Sequence, residues 1–269
     1  MSILVAKADG TNEPYDPEKL LISLKRAGAD PHIAQQIAKD IENELWSGIT
    51  TQEIYSRAFA RLREAKHTAA ARYSLKRAIL DFGPSGFPFE AYIAELYKTE
   101  GFAVKIDQMV RGKCVEHEVD VVISKGDEKI YAEAKFHNAA GFKTDLKTVL
   151  YVKARIDDIG HGRGLVATNT KFTSKAIEYS TCAGLELLGW DYPQGNTLHD
   201  RIDKAKVYPV TALTMLSGRE KTALLSERVV LCNALPEKTD ALARAGVTGA
   251  RADAVFEEVG ALCVPGSDI

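Results

Sequence analysis

The residues best placed to do chemistry are Asp120, Glu133 and Lys135. They lie between His117 and His137, where apolar and polar residues alternate with the two-residue period of β-strands. In the first half Val119, Val121 and Ile123 share one face, and Glu118, Asp120, Val122 and Ser124 the other. In the second half Ile130, Ala132, Ala134 and Phe136 back onto Lys129, Tyr131, Glu133, Lys135 and His137. The intervening Lys-Gly-Asp-Glu has the composition of a short hairpin loop. A register pairing Ser124 with Lys129 sets Asp120 opposite Glu133 and Glu118 opposite Lys135. Facing carboxylates repel. A hard divalent cation, Mg²⁺ or Mn²⁺, held by Asp120 and Glu133 would remove that repulsion and leave positions open for a phosphate. Lys135, on the same face, would then offset charge on the phosphate or orient a water. A merely solvated, charged sheet face fits the same alternation, so spacing alone leaves both readings open.

The chain that must position these groups has 269 residues, enough for two domains or one large one with a sizeable core. Its 45% hydrophobic and 27% charged content is that of an ordinary globular protein. A net charge of −2 gives no global basic footprint, so any nucleic-acid contact must be local or metal-assisted. Cys114, Cys182, Cys232 and Cys263 are scattered, form no CxxC pair, and read as reduced, mostly buried thiols. No apolar run has membrane-spanning length and the N-terminus lacks a signal-peptide core, which predicts a cytoplasmic protein with no membrane partner.

Ile3 to Lys7 followed by Asp9-Gly10 reads as a small hairpin. Asp16 before Pro17 starts a helix with Leu20, Leu21, Leu24 and Ala27 as its apolar stripe and Gly28 as its stop. A second helix fits 31–45. Thr50 and Glu53 form a capping-box pattern for a third, and a fourth runs over 69–80. Val5-x-Lys-x-Asp-Gly10, Glu13-Pro-Tyr-Asp-Pro-Glu-Lys-Leu20, Gly48-Ile-Thr-Thr-x-Glu-Ile-Tyr55 and Ala71-Arg-Tyr73 resemble, in order and spacing, an ATP-cone over residues 1–82. That resemblance implies a regulatory site for ATP or dATP, with Lys7 and Lys19 near the phosphates and Thr51 and Lys76 as neighbours. The family commonly has a second basic residue after the first lysine, where this chain has Ala8. The chemistry suits the role, because ammonium groups pair with polyphosphate and a helix start offers free N–H donors.

Residues 83–88 carry two prolines and two glycines after the helix-rich stretch and read as a linker. Over 89–197 the expected order is a helix at 89–97, a strand at 102–110, the hairpin, a helix at 144–159, a strand at 164–168, a helix at 174–182 and a strand at 185–188. Such a mixed α/β order favours parallel pairing after the crossover helices. Asp120 followed by Glu133-x-Lys135 resembles the PD-(D/E)xK nuclease core. Phe89-Glu90, Ile93-Ala-Glu-Leu96, Val166-Ala-Thr-Asn169 and Ala176-x-x-Tyr179 extend the likeness to the Mrr-like restriction endonucleases. Many of those carry Gln where this chain has Glu133. The resemblance implies a metal-dependent DNA endonuclease in which Glu90 adds an acidic group from the first helix. His117 would face the apolar side. His137, Asn138, Lys143, His161, Arg163 and Lys171 are weak candidates for phosphate contacts.

Residues 198–269 read as helical, with two helices joined by a glycine-containing turn near 246–249, serving packing or dimerisation, with a helix-hairpin-helix contact to DNA phosphates as the alternative. The fold class expected is α/β: a mainly helical ATP-cone with a small β-hairpin, then a mixed-sheet endonuclease-like core with a helical tail. The function expected is Mg²⁺-dependent endodeoxyribonuclease activity under adenine-nucleotide control. The alternative is a non-catalytic ATP-cone regulator that binds nucleic acid through a nuclease-like domain.

Overall fold

The computed structural model describes residues 3–7 and 10–263, so Ala8 and Asp9 of the expected first turn lie outside the described residues. Strands β1 (Leu4–Ala6) and β2 (Asn12–Pro14) pair antiparallel. Helices α1 (Pro17–Arg26) and α2 (Pro31–Asn43) follow, then β3 (Ile49–Thr50), which joins β1 in parallel, and α3 (Thr51–Ala65). The caps read from sequence are formed: the Asp16 carboxylate accepts from the Glu18 N–H at 3.0 Å, and Thr50 and Glu53 make a reciprocal capping box. The expected fourth helix is divided at Ser74 into α4 (His67–Tyr73) and α5 (Leu75–Leu80). At that break the Ser74 hydroxyl donates back to the Ala71 carbonyl at 3.0 Å, a local bond that competes with the helix ladder.

The second half begins with α6 (Phe87–Thr99), β4 (Ala103–Arg111), β5 (Glu116–Lys125) and β6 (Glu128–Lys135). A short β7 (Lys143–Thr144) precedes α7 (Leu146–Ile159), β8 (Arg163–Thr168), β9 (Lys171–Phe172), α8 (Ser174–Ala183) and β10 (Glu186–Leu188). The main sheet has the order β10-β8-β6-β5-β4, antiparallel from β4 to β6 and parallel from β6 to β10. The parallel half follows the crossover helices α7 and α8, as the element order required. The tail comprises α9 (Leu198–Ala205), α10 (Gly218–Ser226), α11 (Thr239–Arg244) and α12 (Ala250–Cys263).

The two largest cores divide the chain. One lies among α1, α2 and α3, with Leu24, Ile41, Ile49, Ala58 and Leu62 fully buried. The other gathers Leu75, Ile79 and Phe82, the buried face of α6, one face of the main sheet and the tail helices. Helix α5 therefore packs with the sheet, and the tail is part of the same core. Tyr92 of α6 is fully buried and donates from its hydroxyl to the Val207 carbonyl at 2.6 Å, while Glu258 of α12 accepts the Thr214 and Met215 N–H groups at 2.7 and 3.0 Å. Helices α7 and α8 cover the opposite face of the sheet, with Val149, Val152 and Ala176 clustered with Val166 of β8.

The cysteines depart from expectation. Cys232 and Cys263 are joined in a disulfide between the tail's short 3-10 segment and α12, whereas Cys114 and Cys182 are exposed. Their sequence separation of 31 hid this pairing, because only the fold of the tail brings the two together.

Candidate active site and nucleotide pockets

The hairpin register is the one the alternation predicts. Ser124 pairs with Lys129 and the ladder runs up to Val121 opposite Ala132. Just beyond, where Asp120 and Glu133 face each other, the ladder stops. The Asp120 carboxylate accepts the Ala134 N–H at 2.7 Å. On the other side Asp107 interrupts the pairing of β4 with β5 with φ of 53°, a left-handed conformation uncommon in non-glycine residues. Both strands change face across this point: Ile106 and Val121 pack toward α6, while Val110 and Val119 pack toward α7. Glu118 consequently pairs in register with Met109 and is exposed, so its expected place opposite Lys135 is not formed.

Glu133 is 4% exposed. One of its oxygens meets the Lys135 ammonium at 2.5 Å and the other the Arg155 guanidinium of α7 at 2.6 Å. Arg155 is itself buried, and its other terminal nitrogen donates to the Tyr151 hydroxyl at 3.0 Å. A pair this far from water holds only because each charge has hydrogen-bonded partners. Glu90 projects from the first turn of α6 into the field of the same carboxylates. Burial, followed by the charges of Asp120, Asp107 and Glu133, pushes its carboxyl up to about 7. Burial and then Glu133 likewise raise Asp120. Burial lowers the Lys135 ammonium, but Glu133 and Asp120 outweigh it and hold lysine above its ordinary value. The structure thus assembles Glu90, Asp120, Glu133 and Lys135 at one end of the sheet.

This crowding has a pH signature. Because Glu90 titrates higher folded than unfolded, its ionisation opposes folding. The penalty is absent below the ordinary value of 4.5, grows as pH rises, and is complete above about 7. In the metal-free protein Glu90→Gln is expected to be more stable than the parent at pH 8 by about 1 kcal/mol, allowing for solvent screening at a half-exposed group. The two should converge near pH 4. Urea unfolding in EDTA at both pH values checks this, and a difference that does not vary with pH contradicts it.

The donor set matches a hard divalent cation in chemistry, since it is made of mutually repelling carboxylate oxygens. Among the described residues no group of three or more His, Cys, Asp or Glu converges to metal-holding distance.

The weaker candidates have other work. His117 bonds Asp158 at 2.8 Å, and Asp158 also accepts the Cys114 and Val115 N–H groups, fixing the β4–β5 turn. The Cys114 thiol and then His117, with the two backbone N–H groups behind them, hold the Asp158 carboxyl well below the usual carboxylate range. The His137 backbone is tied to Asn169 by reciprocal bonds of 2.8 and 2.7 Å, its ring stacks on Phe142, His161 bonds the Tyr131 hydroxyl, and Lys171 pairs with Asp191. Arg163 bridges Glu128 and Glu186.

Sequence reasoning missed Arg155, Tyr151 and Asp107. Arg155 had a readable signal: Val152, Arg155 and Ile159 occupy one helical stripe, and a charge on an otherwise apolar stripe needs a buried partner. Asp107 carried none, because its left-handed backbone depends on the neighbouring strand.

In the front domain Glu13 accepts both Lys7 and Lys19, at 2.6 and 3.4 Å. A pocket of about 190 Å³ beside them is lined by Glu13, Lys19, Thr51, Ile54 and the stacked rings of Tyr55 and Tyr73. Neither Lys7 nor Lys76 is among these residues. Lys76 lies in a second cleft of about 640 Å³ against the segment after β10, its ammonium 5.8 Å from the Trp190 ring centroid.

Comparison with known proteins matches three families along the chain. The ATP cone domain family matches residues 3–81, the restriction endonuclease family residues 84–192, and the AF1548-like C-terminal family residues 208–263. The protein is therefore of the class that joins an ATP cone to a restriction-endonuclease-like domain. More particularly, the chain belongs to the AF1548-like family. An uncharacterized protein of Archaeoglobus fulgidus is 37% identical over 124 residues, 45% of this chain and 71% of that protein. The crystal structure of AF1548, a protein of unknown function, is 30% identical with a TM-score of 0.55, covering 66% of this chain and 98% of that one. The transcriptional repressor NrdR of Chloroflexus aurantiacus is 32% identical over 92 residues, 31% of this chain and 55% of the repressor. No helix among the described residues is long and apolar enough to cross a membrane.

Proposed function

We propose that this chain is a divalent-metal-dependent DNA endonuclease whose activity responds to ATP or dATP bound by the cone. The observation that carries the reading is the meeting of Asp120, Glu133 and Lys135 where β5 and β6 part, with Glu90 above them. Asp120 and Glu133 are the groups that would hold Mg²⁺ or Mn²⁺, which when bound supplies Lewis acidity toward a phosphoryl oxygen. Lys135, half exposed at the mouth of the site, orients the attacking water and offsets negative charge at the phosphate. Glu90, titrating near neutrality, can give up or accept a proton there. In the cone, Lys7, Lys19 and Thr51 would receive the nucleotide, whose phosphates would compete with Glu13 for the two ammonium groups.

One observation favours a second reading. Both Glu133 oxygens are already engaged by Lys135 and Arg155, an arrangement that also suits a nuclease-like domain binding nucleic acid without cutting it. Supercoiled plasmid incubated with the protein and Mg²⁺, with and without ATP or dATP, separates the two. The endonuclease reading expects relaxed and linear products whose yield changes with nucleotide. Retention of both modified and unmodified DNA, uncut under every condition, would establish the regulator instead.

A further inference from the structure

The larger cleft, the one that holds Lys76, lies between the two domains and is built by both. The cone contributes Arg26 from α1, Arg72 from α4 and Lys76 from α5; the opposite wall takes Trp190 from the end of the endonuclease-like domain and His199 from the tail helix α9 packed on it. Its volume, about 640 Å³, falls within the range of small-molecule sites. It shares Ser23, Tyr55 and Tyr73 with the smaller cone pocket, so the two stacked tyrosines form a common wall.

Charge in the cleft is unevenly satisfied. The aspartates on its endonuclease wall are engaged locally: Asp191 by Lys171 at 2.6 Å, Asp200 by the Thr197 N–H at 3.0 Å, and Asp203 by the Tyr208 hydroxyl at 2.9 Å. Among the described residues neither Arg26 nor Lys76 has a carboxylate at ion-pair distance; Asp200 lies in the field of Arg26 and Asp191 in that of Lys76 without closing a pair. Burial, then the nearby charge of Lys171, lowers the Lys76 ammonium, and the opposing charge of Asp191 offsets them only in part. The Trp190 indole presents a flat aromatic surface beside these cations, with His199 set edge-on to it at 5.2 Å. Phosphate suits guanidinium and ammonium groups, and a nucleobase suits an aromatic face.

We infer that this cleft is a second nucleotide site, separate from the cone pocket, in which Arg26, Arg72 and Lys76 take the phosphates and Trp190 the base. It extends the reading of the cone as a nucleotide-binding domain, and it gives that domain a ligand it shares with the endonuclease. Occupancy would stabilise the contact between the two domains, because neither wall alone completes the site.

Isothermal titration of the full-length chain with ATP tests it, using Arg26→Ala, Trp190→Ala and a Lys19→Ala/Thr51→Ala double variant, with circular dichroism and thermal unfolding as controls for folding. Two binding events per chain are expected in the parent. Arg26→Ala and Trp190→Ala should each weaken one event tenfold or more and leave the other intact, and Lys19→Ala/Thr51→Ala should do the reverse. Arg26 is exposed, so that variant remains informative if Trp190→Ala unfolds. A single event untouched by Arg26→Ala and Trp190→Ala would overturn the inference. A single event removed by those two and untouched by Lys19→Ala/Thr51→Ala would uphold the cleft and instead overturn the cone-pocket reading.

Discussion

Arg155→Ala is expected to destabilise the folded chain by about 3 kcal/mol, the low end of the cost of removing one member of a buried ion pair. The guanidinium is 6% exposed and lies 2.6 Å from a Glu133 oxygen. Without it a buried carboxylate would lose one of its two charged partners, and Lys135 holds only the other oxygen. That residual partner is why the low end applies. If the cost arises from the orphaned charge rather than lost packing, Glu133→Gln in the same chain should recover more than half of it. Guanidinium unfolding of the parent, Arg155→Ala and the double variant measures both quantities. A loss below about 1 kcal/mol would mean that Glu133 does not depend on α7 for its charge balance.

The second large effect is on catalysis. Lys135→Ala should lower plasmid cleavage by about 10²–10³-fold, the usual scale for removing one preorganised group that stabilises transition-state charge. Stability should change little, because the Lys135 side chain is 44% exposed and exposed ion pairs contribute about 0–1 kcal/mol. This separation distinguishes the two partners of Glu133: Arg155 supports its charge from inside, and Lys135 faces the place where a phosphate would come. Time courses at saturating DNA, set beside unfolding curves, test it. Equal losses of stability from Lys135→Ala and Arg155→Ala would contradict that division.

Much of this arrangement could be read from the chain, and the residues show why. The pairing of Ser124 with Lys129 followed from strict alternation, since a slip by one residue would turn Val121 and Ile123 to the wrong face, although the expected four-residue loop is shorter, with Lys125 paired to Glu128 and only Gly126 and Asp127 turning. The caps at Asp16 and Thr50 are local chemistry and were legible for that reason. Long-range events were not. Extrapolating the hairpin ladder put Glu118 opposite Lys135, but Asp120 takes the Ala134 N–H and both β4 and β5 change face around Asp107. The Cys232–Cys263 disulfide and the place of Lys76 in the interdomain cleft depend on how distant segments pack. The break at Ser74 was a near miss, because serine in a helix interior is a known competitor for backbone bonds.

The central claim is that Asp120 and Glu133 hold a divalent cation beside Lys135, and Mn²⁺ binding followed by electron paramagnetic resonance at pH 8, without nucleotide, tests it most directly. The account predicts that the parent sequesters Mn²⁺ and that Asp120→Asn, correctly folded, loses that binding together with DNA cleavage. Mn²⁺ bound equally well by Asp120→Asn, or cleavage surviving in that variant, would contradict it.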